Sequence, residues 1–172
     1  MNKQIKKVVI VGGGTAGWIS ATLLKKVVGV AIEIELVESE DIGTVGVGEA
    51  TIPPIRLLNN VLGINEAEFL TKTKGTIKLG IQFESMAFCH FHHFWQRAQS
   101  LGMQTSLWDY DLNYLAAMQG KFTHINSKDS ILELPYAYHF DAGLYAKFLR
   151  EVSERMGVVR TEGLIEHVEQ DN

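Results

Sequence analysis

The feature that most constrains the fold is a glycine cluster between an apolar β-branched run and a helix-like segment. The stretch IKKVVIVGGGTAGWISATLLKKV holds Gly12, Gly14 and Gly17 in a Gly-x-Gly-x-x-Gly spacing. The first glycine permits a tight strand-to-helix turn, the second lets the backbone approach a pyrophosphate, and the third lets the helix pack closely on the sheet. The positive N-terminal end of the helix then faces the phosphates. This pattern predicts a phosphate-binding strand–turn–helix unit.

The next segment supports the same interpretation. The alternating run AIEIELVE predicts a second strand that ends at Glu38, 21 residues after Gly17. This is close to the spacing at which a carboxylate accepts the ribose hydroxyls of a dinucleotide. The alternative for Glu38 is an ordinary solvated residue at a strand end. The strand–helix–strand frame favours the dinucleotide interpretation, so the sequence predicts a Rossmann unit.

Apolar spacing and capping residues predict the helices. In the first helix, Ile19, Leu23, Leu24 and Val27 fall on one face, which we expect to be buried. Glycine favours the C-terminal end of a helix, whereas asparagine and aspartate favour the N-cap. The predicted boundaries are a stop at Gly63, an N-cap at Asn65, a stop at Gly120, an N-cap at Asp141 and a stop at Gly157.

Residues 46–55, GVGEATIPPI, combine two glycines with a double proline. The glycines suit a backbone that bends tightly or approaches another group closely. Pro54 fits the first turn of the helix that follows. Two interpretations are open on the residues alone, an ordinary connecting loop and a strap that crosses a ligand.

The blocks GGGTAGW and GVGEATIP resemble the flavin-dependent tryptophan halogenases, and the resemblance continues through YAYHFDAGLYAKFL at residues 136–149. It extends over essentially the whole chain. The first block is shared with many flavoproteins, whereas the second is much more specific. The resemblance implies an α/β fold, namely a Rossmann-like FAD-binding fold of the flavin monooxygenase type, incomplete in this chain and with part of a substrate domain inserted.

The resemblance also implies a domain division and a cofactor site. Residues 1–84 are expected to form the FAD-binding unit, with a flavin strap at 39–54. Residues 85–135 are expected to belong to the substrate domain, and residues 136–172 to return to the FAD-binding domain. The predicted FAD-binding residues, of which the last three lie near the isoalloxazine, are Gly12, Gly14, Thr15, Ala16, Gly17, Glu38, Ile42, Val47, Gly48, Glu49 and Ala50.

Lys78 lies in the run TIKLGIQFE, which predicts one strand with Ile77, Leu79 and Ile81 on its apolar face. On the residues alone, a lysine that points away from that face is most often solvated. The resemblance implies a different role, because tryptophan halogenases carry an essential lysine at the matching position. The sequence therefore leaves a solvated lysine and a catalytic lysine as alternatives, and the resemblance favours the second.

The chemistry implied by the resemblance explains why a lysine is needed. In that family, reduced FAD, oxygen and chloride or bromide generate a hypohalous acid. A lysine side chain can donate a hydrogen bond to that acid, or its amine can take the halogen and pass it on. Arginine cannot serve in the second way because guanidinium stays protonated. We therefore predict Lys78 as the catalytic residue, an indole-like substrate such as tryptophan, and a separate flavin reductase as the supplier of FADH2.

The segment FCHFHHFWQR gathers Cys89, His90, His92 and His93. A metal site needs converging side chains, but a strand would send adjacent histidines to opposite faces. We expect an aromatic pocket wall or a domain contact instead of a metal site. Phe94, Trp95 and Trp108 either face the aromatic substrate or pack in a core. One departure from the family pattern is Met86, which stands where a tryptophan is usual and leaves the shape of the substrate pocket open.

Composition excludes several classes of protein. The net charge is −4, with acidic and basic residues well mixed, which argues against nucleic-acid binding and against an anionic membrane surface. Cys89 is the single cysteine, as expected in a reducing cytosol, and no segment approaches the length of a membrane span. We expect a soluble cytoplasmic protein, for which a homodimer is compatible with the resemblance.

The last residues predict two further strands, a third parallel strand at VVR and another at LIEHVEQ, and the second is expected to be one half of a hairpin. The family's WxWxIP block is absent from the 172 residues. We therefore expect an amino-terminal portion of a halogenase that is inactive by itself. The alternatives are a related flavin monooxygenase or reductase without halogenation, and a truncated nucleotide-binding protein without catalytic activity.

Overall fold

A computed structural model of the chain describes residues 4–42, 47–81, 89–90, 112–122 and 135–170. The strands are β1 (Lys7–Val11), β2 (Glu33–Glu38), β3 (Gly48–Ala50), β4 (Thr76–Lys78), β5 (Gly80–Ile81), β6 (Cys89–His90), β7 (Ala137–Asp141) and β8 (Val159–Glu162). The helices are α1 (Thr15–Val28), α2 (Pro54–Leu62), α3 (Glu66–Thr73), α4 (Leu112–Met118) and α5 (Ala142–Arg155). None of the helices among these residues is long and apolar enough to cross a membrane.

The described residues fall into two compact units. The first contains residues 1–48, 60–75 and 140–172, and the second contains residues 49–59 and 76–139. In the first unit, the rings of Phe69, Phe140 and Tyr145 pack edge to face and tilted, with centroids 4.8 to 5.4 Å apart. In the second unit, Tyr136 lies between Phe122 and Tyr138 in a similar aromatic group. Each unit therefore has its own aromatic core.

A parallel sheet in the order β1–β2–β8 forms the frame of the first unit. β1 pairs with β2 from Lys7–Glu33 to Val11–Val37, and β2 pairs with β8 from Glu35–Val159 to Glu38–Glu162. Helix α1 connects the first two strands, and α5 precedes the third. The predicted strand–helix–strand unit and the third parallel strand at VVR are confirmed.

Helix α1 only half-buries most of the apolar face that the spacing indicates, namely Ile19, Leu23 and Leu24. Trp18, Ala21 and Thr22 are its buried residues, whereas Val27 is 81% exposed. The packing of α1 against α5 includes small polar groups, whose burial hydropathy does not reveal. The hydroxyl oxygens of Thr22 and Ser153 lie 2.6 Å apart at this contact. Small residues allow the two helices to approach closely.

The predicted helix boundaries are confirmed. The Asn65 side chain accepts a hydrogen bond from the Glu68 amide at 3.1 Å, and that of Asp141 accepts one from the Leu144 amide at 2.8 Å. These contacts satisfy amide groups that have no partner within the helix. Helix α2 begins at Pro54. Positive φ angles mark the three predicted stops, with values of 76° at Gly63, 59° at Gly120 and 88° at Gly157.

The run TIKLGIQFE does not form one strand among its described residues. β4 pairs antiparallel with β7, whereas β5 pairs with β6. Between them, the Leu79 carbonyl accepts a hydrogen bond of 3.0 Å from the buried side-chain amide of Asn113. The Asn113 side chain on α4 thus donates to a carbonyl that would accept from a backbone amide if the strand were continuous. The sequence could not indicate this long-range partner.

The predicted strand LIEHVEQ is also absent. Residues 164–170 follow β8 without regular secondary structure, and Leu164 and Val168 are 63% and 75% exposed. Among the described residues, no strand pairs with this segment. Alternating apolar residues are therefore not enough to form a strand here, because a strand needs a partner for its backbone groups.

Candidate functional site

The turn between β1 and α1 requires glycine at two positions. Gly12 has a φ of 111°, and its amide donates to the Val37 carbonyl at 2.9 Å. A Cβ atom added to Gly17 would lie only 1.9 Å from the Gly12 carbonyl oxygen. The first glycine therefore allows the backbone conformation, and the second allows α1 to approach the end of β1.

Gly14 is the N-cap of α1 and faces open space. Its backbone is extended, with φ −74° and ψ 178°, and its carbonyl accepts from the Trp18 amide at 3.1 Å. A Cβ atom added here would meet no other atom within 4 Å. The first turn of α1 contains no acidic residue, so no side-chain charge opposes the positive end of the helix. This position is suited to an anion that approaches the backbone.

The carboxylate of Glu38 lies against the same turn. A Cβ atom added to Gly13 would fall 1.3 Å from Oε2 of Glu38, so Gly13 makes room for this side chain. Glu38 ends β2, which lies next to β1 in the parallel sheet. The carboxylate and the helix N-terminus therefore come together at the carboxyl end of the sheet.

Arg160 on β8 holds the other oxygen of Glu38. Its Nε donates to Oε1 of Glu38 at 2.6 Å, and its Nη2 donates to Oε1 of Glu40 at 2.9 Å and to the carboxylate of Glu162. The hydrogen bond to Glu38 raises the pKa of the Arg160 guanidinium. The side chains of Glu38 and Arg160 are only 13% and 15% exposed. Arg160 therefore orients Glu38, with Oε2 beside the glycine turn.

Arg150 on α5 extends this ionic group. Its Nη1 donates to Oε1 of Glu40 at 3.3 Å and lies 3.6 Å from Oε1 of Glu38. The sequence analysis did not identify Arg150 or Arg160, because the two carboxylates that they share, Glu38 and Glu40, are more than a hundred residues away in the chain. Only the parallel pairing of β2 with β8 could have indicated that Arg160 lies near the end of β2.

The glycine turn, Glu38 and Arg150 line a cavity of about 970 Å³ within the first unit. This is at the large end of the range for cofactor and ligand sites. Its wall is formed by the glycine turn, the end of β2, the N-terminal half of α5 and the segment after β8. The residues that line the cavity include Gly12, Gly13, Gly14, Glu38, Ile42, Asp141, Lys147, Arg150, Leu164 and Ile165.

The predicted site residues fall into three groups. Gly12, Gly14, Glu38 and Ile42 line the cavity, and Thr15, Ala16 and Gly17 form the first turn of α1. The third group lies in the predicted strap. The Val47 carbonyl accepts from the Ala142 amide at 3.2 Å, at the start of α5, and Gly48, Glu49 and Ala50 form the exposed strand β3. Glu49 and Ala50 belong to the second unit.

Lys78 is buried in the second unit, with only 6% of its surface exposed. Its Nζ donates to the Thr51 carbonyl at 2.9 Å. Burial lowers the pKa of the Lys78 ammonium, and burial together with the charge of Lys78 lowers the pKa of His139 on β7. The solvated alternative for Lys78 was therefore wrong. Such a lysine is typical of sites where an amine takes part in chemistry.

Several predictions lie outside the described residues. They concern Met86, the aromatic residues Phe94, Trp95 and Trp108, and the histidines His92 and His93. Only the backbone of Cys89 and His90 is described, as β6. In the part of the chain that the structure describes, no three His, Cys, Asp or Glu side chains are grouped as metal ligands.

Comparison with protein families identifies the chain. The model of the family described as tryptophan halogenase matches residues 7–172. The chain belongs to the tryptophan halogenase family. The resemblance noted in the sequence is thereby confirmed.

Individual halogenases match only part of their own length. Tryptophan 6-halogenase SttH of Streptomyces toxytricini is 34% identical over 88% of this chain and 36% of that protein. Tryptophan 7-halogenase RebH of Lentzea aerocolonigenes is 31% identical over 99% of this chain and 38% of that protein. This halogenase-family chain therefore spans little more than a third of the curated relatives that it matches.

Solved structures confirm the predicted α/β fold of the halogenase family. Xcc4156, a flavin-dependent halogenase from Xanthomonas campestris, has a TM-score of 0.78 and 41% identity over 98% of this chain and 37% of that chain. BrvH, a flavin-dependent halogenase from Brevundimonas sp. BAL3, has a TM-score of 0.74 and 34% identity over the same shares.

The glycine turn gives a test of folding. Gly17→Ala should reduce the free energy of unfolding by about 1 to 3 kcal/mol, because its Cβ atom would overlap a backbone oxygen that cannot easily move. Gly14→Ser is the matched control, since its side chain would enter open space and serine is a good N-cap. Urea denaturation of the three proteins measures the difference. Equal stability of Gly17→Ala and wild type would contradict the close approach of α1.

The buried lysine gives a test of pH dependence. The native pKa of Lys78 lies below the ordinary value of 10.5 that applies in the unfolded chain. Between the native pKa and 10.5, the unfolded state therefore binds more protons than the native state, so the free energy of unfolding rises with pH. The stability of wild type relative to Lys78→Met should rise from the native pKa up to pH 10.5. Denaturation of both proteins across this range would show a constant difference if Lys78 were solvated.

Proposed function

We propose that this chain is the FAD-binding part of a flavin-dependent halogenase that acts on tryptophan or another electron-rich, indole-like aromatic. The family and the printed names of its relatives support the enzyme class and the substrate class. Because the chain spans 36% to 38% of those curated relatives, we assign halogenation to the full-length protein. The chain by itself is expected to be inactive.

The cavity of the first unit is the observation that carries the cofactor assignment. Gly14 leaves space for a pyrophosphate at the N-terminus of α1, and Oε2 of Glu38 lies beside the same turn. These two groups fit a Rossmann-type site in which backbone amides bind the pyrophosphate and the carboxylate accepts the ribose hydroxyls. Lys147 lies in the wall of the same cavity, where it can contact a phosphate. The residues present therefore fit the ADP half of FAD.

The strap is proposed to bind the flavin half. The Val47 carbonyl accepts from the Ala142 amide and the Thr51 amide donates to the Tyr138 carbonyl, so both ends of residues 47–51 are held by backbone hydrogen bonds. Gly48, Glu49 and Ala50 are exposed between these contacts. We assign these three residues to the surroundings of the isoalloxazine and residues 85–135 to the substrate domain.

Bound FADH2, delivered by a separate flavin reductase, supplies hypohalous acid when oxygen and chloride or bromide are present. Lys78 is the residue of this chain to which we assign the transfer of the halogen to the substrate. As an ammonium, its Nζ donates a hydrogen bond to the oxygen of that acid. As a free amine, its nitrogen takes the halogen from the acid while the oxygen–halogen bond breaks and water leaves, and the lowered pKa of Lys78 favours this form. Transfer of the halogen to an aromatic carbon, which loses a proton, then restores the amine. We place these reactions in the cytoplasm.

A flavin monooxygenase without halogenation, or a nucleotide-binding protein without catalytic activity, would use the same glycine turn and Glu38. Neither needs the amine of Lys78. The match of residues 7–172 to the tryptophan halogenase family supports the halogenase over both alternatives, and a buried amine at Lys78 agrees with it.

Cofactor binding tests the first part of the proposal. The full-length protein should bind FAD more tightly than NAD, as measured by equilibrium dialysis. Gly14→Val should abolish FAD binding, because its side chain would fill the open space at the N-terminus of α1, while the circular dichroism spectrum stays native. Retained FAD in this variant, or tighter binding of NAD, would overturn the assignment of the cavity.

Variants of Lys78 test the second part. Lys78→Ala should abolish halogenation while flavin reoxidation continues, because oxygen reacts at the flavin and the halogen is transferred through the amine. Lys78→Arg should be nearly as inactive, since guanidinium stays protonated. Halogenated product and oxidised flavin are measured together with reduced FAD, oxygen, bromide and an indole. Product formation by Lys78→Ala at the wild-type rate would exclude the proposed role.

A further inference from the structure

Thr51 pairs with β7 in an unusual way. Its amide donates to the Tyr138 carbonyl at 3.0 Å, as in an ordinary antiparallel pair. The Tyr138 amide, however, donates to the hydroxyl of Thr51 at 3.1 Å, where a regular pair would use the Thr51 carbonyl. The same hydroxyl donates to the Tyr138 carbonyl at 2.9 Å. The side chain of Thr51 therefore replaces its own carbonyl in the ladder.

This replacement leaves the Thr51 carbonyl available to Lys78. The Lys78 Nζ donates to that oxygen at 2.9 Å. Lys78 pairs with Ala137 on β7, so the two side chains lie on one face of the sheet, and Ala137 adds only a methyl group there. With the strand order β3–β7–β4, the lysine can thus cross β7 and reach the chain at the end of β3.

A buried ammonium depends strongly on such an acceptor. Lys78 is almost completely buried, and an ammonium removed from water is costly unless its protons are accepted. A carbonyl accepts from both the ammonium and the neutral amine, so this contact can hold the nitrogen in place in either form. The acceptor is the backbone carbonyl of Thr51, and the side chain of residue 51 determines only whether this carbonyl is available to Lys78.

We propose that Thr51 is a positioning residue for Lys78, whose hydroxyl completes the pairing with Tyr138 and so reserves the Thr51 carbonyl for the lysine amine. This inference rests on the proposed function and deepens it, because the amine that it positions is the one assigned to the halogen. Thr51 itself need not touch the substrate or the cofactor.

Two substitutions separate positioning from packing. Thr51→Val keeps the branched shape and suits a strand, but it removes the hydroxyl. The Tyr138 amide should then turn to the carbonyl of residue 51 and draw that oxygen into the ladder, away from Lys78. Thr51→Ser is the matched control, because it keeps the hydroxyl and loses only a methyl group. Both variants are made in the full-length protein and compared with wild type and Lys78→Ala.

Two measurements are made on each protein. The first is halogenated product per flavin oxidised, with bromide and an indole as substrates. The second is independent of activity: the rate at which acetic anhydride modifies Lys78 without flavin, followed by peptide mass spectrometry. Thr51→Val should reduce product per flavin by roughly 10-fold to 100-fold, as expected for a displaced reacting group, and should increase the modification rate of Lys78. Thr51→Ser should stay near wild type in both.

The results distinguish this inference from the proposed function. If Thr51→Val kept the wild-type yield of product per flavin and the wild-type modification rate of Lys78, the role of Thr51 would be overturned. Equal losses in Thr51→Ser and Thr51→Val would also overturn it, because they would show that the methyl group, not the hydroxyl, matters. Halogenation by Lys78→Ala would overturn the role that the proposed function gives to Lys78 instead, while the modification rates would still decide whether Thr51 holds the amine.

Discussion

The close approach of α1 to the end of β1 is the constraint on which the cavity of the first unit depends. Gly17 has no room for a Cβ atom, because the Gly12 carbonyl oxygen would lie 1.9 Å from it. This contact sets the position of the α1 N-terminus at the carboxyl end of the sheet. The glycine turn is therefore a backbone feature, and side chains elsewhere complete the site that it begins.

The acidic end of the sheet depends on arginines from later parts of the chain. Glu38, Glu40 and Glu162 would repel one another at the ends of β2 and β8, but Arg160 contacts all three. Exposed ion pairs contribute little individually, whereas Arg160 and Glu38 are mostly buried and share a short hydrogen bond. The orientation of the proposed ribose acceptor is thus determined by β8 as much as by β2.

In the second unit, the hydroxyl of Thr51 accepts from the Tyr138 amide in place of the Thr51 carbonyl. The pairing of Thr51 with Tyr138 connects the strap to β7, and the carbonyl left over contacts Lys78. The resemblance to halogenases predicted the strap and the catalytic Lys78 as separate features. Their connection came from hydrogen bonds between residues that are 27 and 87 positions apart in the chain.

Local patterns in the sequence determined the turns, caps and first strands. The glycine spacing, the Asn65 and Asp141 caps and the strand ending at Glu38 depend on neighbouring residues, so the sequence alone predicted them. Tertiary structure decided the buried face of α1, the division of TIKLGIQFE between β4 and β5, and the absence of a strand at residues 164–170. It also decided the burial of Lys78 and the contact of Arg160 with Glu38. Each of these depends on a partner distant in the chain, and hydropathy and spacing carry no information about which distant groups will meet.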